Sequence, residues 1–190
     1  DAREAASLGL KTFPAMINEN NFRAMGFRSV SEVRQARLGE PMKVFTVRLD
    51  KLMKYEDGIE ADTILEKANN QVMYPIIVNS EARCSITVAL RKEQWVVAQF
   101  GSSSLTQLVS SARRASVEET RLPLSAYMVI QVNALNMVFV GHQDRETNEL
   151  MLTPVVDYPN LKLRMGSSQS ATEVFKKLVP LAQGHNGLPT

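Results

Sequence analysis

Residues 71–117 read QVMYPIIVNSEARCSITVALRKEQWVVAQFGSSSLTQLVSSARRASV, and the reading of this stretch decides the fold. It divides into three strands and a helix: Val72 to Asn79, Arg83 to Lys92, Gln94 to Phe100, then a helix from Ser104. Cys84, Ile86, Val88 and Leu90 alternate with Ser85, Thr87 and Ala89, the period of a strand with one face buried. Tyr74 to Val78 is an apolar run of strand length, and Pro75 places it at a strand start or an edge. Asn79 to Ala82 and Arg91 to Glu93 are polar links of hairpin length, so the three strands are expected to pair antiparallel in chain order.

The helix has a readable start. Gly101-Ser-Ser-Ser104 is a turn cluster, and Gln107 follows Ser104 at the spacing of a capping box. Leu105, Leu108, Val109 and Ala112 then recur at helical spacing and predict the face that packs on the sheet. A Gly-Ser turn ahead of a helix can also hold an anion. Here the lysine of a P-loop and the glycine spacing of a dinucleotide fingerprint are both missing, so an ordinary cap is expected.

Outward from this stretch, the N-terminal part reads as a short helix from Asp1 to Leu10, ending at Gly9. A less regular segment follows, anchored by Phe22, Met25 and Phe27. Ser29 and Glu32 form a capping-box pattern opening a short helix that Gly39 and Pro41 close. Met42 to Leu49 alternates as a strand. Leu52, Met53 and Tyr55 carry helical character, and Asp62 or Thr63 is expected to cap a helix through Ala68. Beyond Leu122-Pro-Leu124, strands are predicted at Tyr127 to Val132, Met137 to Val140 and Leu150 to Val156. Gly141 to Asn148 reads as a polar loop. Leu161, Leu163 and Met165 alternate as a further short strand, and Ser170 with Glu173 caps a last helix that Pro180 should end or kink.

The fold expected is α+β: a mixed, mostly antiparallel β-sheet with helices packed on it. Gly101 to Val109 and Gly166 to Val174 share one spacing. The chain therefore reads either as two similar β-β-β-α halves or as a chance recurrence of strands before a capped helix. The organisation expected is a single α+β domain over residues 1–190. It comprises an N-terminal helical appendage (1–41), a first half (42–121), a second half (122–184) and a frayed tail (185–190).

A chain of 190 residues with 44% hydrophobic content can bury a substantial core. A net charge of +2 and 6% aromatic residues argue against a nucleic-acid partner. No apolar run reaches the roughly 18 residues of a membrane span. The chain begins at Asp1 with no signal-peptide pattern; a processed exported chain and a shortened one both fit that start. An extracytoplasmic location, periplasmic or secreted, is the expectation, with a cytoplasmic one left open. Cys84, the single cysteine, falls on an apolar strand face and reads as a small buried hydrophobe.

The search for chemistry names no catalytic, cofactor-binding or metal-ligating residue. His142 and His185 have no partner at metal spacing and read as exposed, in a loop and in the tail. No Gly-x-Ser-x-Gly elbow is present. Asp50, Glu56, Asp57, Glu60 and Asp62 cluster around Gly58 without the ligand spacing of an EF-hand and read as a solvated loop. Arg113, Arg114, Glu118, Glu119 and Arg121 read as a solvated helix face, with an anion-binding patch as the sharper alternative. Asp144 and Glu146 read as surface charges. The expected function is that of a soluble binding or interaction domain without catalytic activity, taking a protein or peptide partner. The alternative is a small-ligand-binding or sensor module with a pocket between sheet and helices.

Overall fold

The computed structural model describes residues 1–185. In chain order it holds helix α1 (Ala2–Thr12), strands β1 (Arg37–Leu38) and β2 (Met42–Val47), and the single turn α2 (Leu49–Leu52). Strands β3 (Leu65–Val78), β4 (Glu81–Arg91) and β5 (Gln94–Gly101) lead into helix α3 (Ser103–Thr120). Strands β6 (Met128–Val132), β7 (Met137–Gln143), β8 (Leu150–Pro154) and β9 (Gln169–Ser170) precede helix α4 (Ala171–Gly184). The fold is α+β, with a mixed, mostly antiparallel sheet. Among the described residues no helix is long and apolar enough to cross a membrane. The described residues pack as two compact units, each made of two separate segments: 1–43 with 69–110, and 44–68 with the residues from 111 on.

In the first unit, β3, β4 and β5 pair antiparallel in chain order, as the sequence predicts. Both hairpins turn on two residues in the left-handed region. Asn79 and Ser80 have φ of 49° and 65°, Lys92 and Glu93 of 46° and 66°. Such mirror-image turns match the strand twist, which is why a two-residue link closes them. Cys84, Ile86 and Val88 are fully buried in one apolar cluster with Phe13, Ile76 and Val78. Helix α1 covers that face. An added Cβ at Gly9 would lie 2.8 Å from a Val97 methyl, so a larger residue there would push the helix off the strands. Gly9 therefore serves close approach and does not end the helix, which runs on to Thr12. Phe13 then stacks on Phe100 at 5.1 Å between ring centroids.

The other face of β4 is buried too, but with polar groups. Ser85 and Thr87 are nearly inaccessible, and Ser85 Oγ lies 3.1 Å from Thr106 Oγ1 at the start of α3. The helix begins one residue earlier than the sequence suggests. Ser102 Oγ accepts from the Leu105 N–H, while Gln107 donates to the Ser103 hydroxyl. Ser29 Oγ does accept from the Glu32 N–H, but the Glu32 carboxylate reaches the N–H of Arg28, and the turn it opens (Val30–Gln35) is 3₁₀.

Glu32 has a second role. Its carboxylate meets Arg83 at 2.7 Å, and Arg83 also meets Glu81 at 2.7 Å, which in turn meets Arg28 at 2.9 Å. Burial opposes the charge on Glu32, but the Arg28 N–H and the Arg83 guanidinium outweigh it and hold the carboxyl below its ordinary range. Cys84 is buried as expected, and burial pushes its thiol up to about 12. A thiol reagent should therefore leave Cys84 unmodified in the native protein and label it fully in denaturant. Fast labelling under native conditions, read by mass spectrometry, would contradict this burial.

In the second unit the strand order is β2-β6-β7-β8-β9, with the pairs from β6 onward antiparallel. One sheet face carries Ile130, Val132, Phe139, Leu150 and Leu152, which form a core with Val174, Phe175 and Leu178 of α4. Tyr55 stands edge-on to Phe175 and its hydroxyl donates to the Ile59 carbonyl. The opposite face carries Val129, Val140, His142 and Thr153, all buried, and α3 meets it through Ser116 Oγ at 2.9 Å from Thr153 Oγ1.

Several local expectations are corrected here. The segment expected as a helix through Ala68 is one 3₁₀ turn, Ala61–Ile64, followed directly by β3. Lateral strand pairing overrides the helix preference of Leu65-Glu-Lys-Ala68. The alternation at Leu161 to Met165 gives no strand. Pro159–Leu161 is a 3₁₀ turn, Lys162 is left-handed, and only Tyr158 bridges Leu163. Ser170 does not cap α4 with its side chain; its hydroxyl donates to the Glu149 carboxylate. Helix α4 continues through Pro180 to Gly184. The two Gly-Ser-Ser segments differ locally, since Gly101 is the last residue of β5 whereas Gly166 sits in a turn at φ +74°. The tail expected from residue 185 lies, from residue 186 on, outside the described residues.

Candidate functional site

The second unit contains a cleft of about 330 Å³ lined by Glu119, Thr120, Leu122, His142, Asp144, Arg145 and Glu146. Three local features build it. Helix α3 ends at Thr120, and Arg121 takes a left-handed conformation while its N–H bonds the Val117 carbonyl. This places Glu119 and Thr120 on the last helical turn, at the negative end of the helix dipole. The Thr120 hydroxyl then holds the returning chain, 2.7 Å from the Tyr127 hydroxyl and accepting from the Leu122 N–H.

The second feature is the loop joining β7 to β8. The Asp144 N–H bonds the Glu149 carbonyl at 2.9 Å, and Oδ1 of Asp144 accepts from the N–H groups of Glu146 and Thr147 and from the Thr147 hydroxyl. The Thr147 and Glu146 amides hold the Asp144 carboxyl below its ordinary value. The loop is thus folded around one carboxylate oxygen, and it presents Arg145 and Glu146 outward. The Arg145 guanidinium donates to the Arg121 carbonyl at 3.4 Å.

His142 forms the third feature. It is not an exposed loop residue: β7 continues through Gln143, and His142 pairs with Met151 of β8 with only 2% of its surface accessible. The ring lies 5.6 Å from that of Tyr127. Its Nδ1 is buried and has no hydrogen-bond partner among the described residues. Burial pushes the imidazole pKa down, and the nearby Asp144 and Glu119 only partly offset this. A neutral imidazole carries one N–H donor and one lone-pair acceptor, so a ring with a bare nitrogen holds unused hydrogen-bonding capacity. A buried unpaired polar atom in a native protein calls for an explanation, and a ligand site is one.

The other residues singled out in the sequence separate. His185 is the half-buried residue capping α4, in a different part of the unit. Asp50 pairs with Arg48 at 2.8 Å, Asp57 with Lys176 at 2.5 Å, and Asp62 accepts from Gln143 at 2.8 Å, so these three of the five acidic residues near Gly58 go to separate partners. Among the described residues no group of three or more His, Cys, Asp or Glu side chains is placed to hold a metal. Of the charged run on α3 and just beyond it, Arg113 is buried and not solvated, whereas Arg114, Glu118, Glu119 and Arg121 are exposed. The signal for His142 was present in the alternation itself: Val138, Val140 and His142 share one parity, and Gly141 masks it by looking like a strand end. Gly141 is instead required within the strand, because an added Cβ would fall 2.6 Å from Ile130 Cδ1. Compared with known proteins, the chain matches no family model, no curated protein and no solved structure.

Proposed function

We propose that the chain is a binding module for a small polar ligand, with the cleft around His142 as the ligand site. The observation that carries this reading is the buried imidazole with its unpartnered Nδ1 at a cleft that also gathers Glu119, Asp144, Arg145 and Glu146. Specific small-molecule sites combine a concave surface with a few convergent polar groups and a titratable residue moved off its ordinary pKa. Support for this over a protein docked on a bare sheet comes from burial. Strands β4 and β7 carry buried side chains on both faces, so neither offers a bare sheet surface to a partner.

A library of small acids, amines and neutral amides, screened by amide chemical shifts on the full chain, tests the reading. At least one compound should saturate with perturbations centred on residues 141–147, and His142→Phe should remove that response. Saturable binding confined to other surfaces, or none at all, would refute it.

A further inference from the structure

The charges around the cleft select among ligands. Glu119, Asp144 and Glu146 bring three carboxylates against the one guanidinium of Arg145. None of the three carboxylates enters an ion pair within 4.0 Å among the described residues, although Arg145 is a neighbour of two of them in sequence. Asp144 spends Oδ1 on its own loop, and among the described residues its Oδ2 makes no hydrogen bond. The last turn of α3, an 18-residue helix, adds its negative dipole end from the same side as Glu119. A site built this way attracts positive charge, and His142 completes its lining with only 2% of its surface accessible and its Nδ1 unpartnered among the described residues.

Resting on the binding-module reading above, we propose that the ligand is a small organic cation bearing a primary ammonium or guanidinium group. Its N–H donors lie among Glu119, Glu146 and Asp144, with the imidazole of His142 against its body. Several N–H groups on one charge suit carboxylates spread over a helix end and a loop. A hard divalent ion is a poorer fit, since it requires six or more oxygens converging on one point and the described carboxylates do not converge.

The test uses the full chain and five probes: ethylamine, 1,4-diaminobutane, methylguanidinium, propionate and calcium. Amide shifts at His142 and residues 144–147 should saturate with at least one of the three organic cations and with neither propionate nor calcium. Removing two charges in Glu119→Gln/Glu146→Gln should weaken that binding by about tenfold or more, because charge-assisted hydrogen bonds are lost. Both residues are exposed, so the fold should survive the change. Arg145→Gln should tighten it by removing a competing cation. If propionate saturates the cleft and Arg145→Gln abolishes that response, the cation assignment fails while the binding-module reading stands. Saturation by calcium with loss of the organic cations also overturns it. If no probe and no library compound binds there, both readings fall.

Discussion

Ile86→Asp is expected to abolish cooperative folding of the first unit. Ile86 is fully buried at the centre of β4, against Gly9 of α1 and within the cluster formed with Phe13 and Val88. An aspartate there loses the apolar contacts and sets a carboxyl among hydrocarbon with no cation beside it. Such a change exceeds about 4–5 kcal/mol, comparable with the whole stability of a domain. Thermal melts should lose the first unit's transition, and amide dispersion should collapse for residues 1–43 and 69–110. The control Ile86→Val, which removes one methylene, should cost about 0.5–1.5 kcal/mol and keep the transition. A cooperatively folded aspartate variant would mean that the inner face of β4 is assigned to the wrong side.

Arg83→Ala should produce the second-largest loss. The Arg83 side chain is 6% exposed and its partner Glu32 is 9% exposed. Truncating the arginine leaves a nearly inaccessible carboxylate without its cation, at a cost of about 3–5 kcal/mol. The double variant Arg83→Met/Glu32→Leu should recover most of that loss, because no buried charge is then left uncompensated. The pH dependence follows from the Glu32 carboxyl, which is held below its ordinary value near 4.5 in the folded state. The stability it contributes is complete above that value and is lost as pH falls through the lower, folded pKa. Denaturant titrations should therefore show the wild type weakening in acid below about pH 4.5, with the double variant showing less of that slope. An Arg83→Ala protein as stable as the wild type would show that the pair is dispensable.

The β3-β4-β5 meander was legible because its information is local: alternation in Cys84 to Leu90, two short polar links, and a serine-capped helix. What was not legible depends on contacts between distant segments. Leu65 to Ala68 has the composition of a helix and becomes a strand because pairing decides it. Arg83 looked like an ordinary residue at a strand start, and only the arrival of Glu32, 51 positions away, makes it a buried ion pair. The candidate site was missed for two reasons. Gly141 resembled a break, so His142 was placed in a loop, and Asp144 and Glu146 were read as isolated surface charges. The partners that give them meaning, Glu119 and Thr120, end a helix more than twenty positions earlier.

The division into units has a consequence for synthesis. The segment 1–43 cannot complete its core until residues 69–110 have left the ribosome, and residues 44–68 belong with a segment made after them. For that interval 44–68 must wait while the chain on either side of it collapses. Its Phe45, Val47, Leu52 and Ile64 are then exposed apolar groups in a nascent chain. Neither unit can be cut out as one continuous fragment. Truncations ending near residue 110 should yield a protein that carries an unsatisfied internal insert, and moving the termini by circular permutation is the route to an isolated unit.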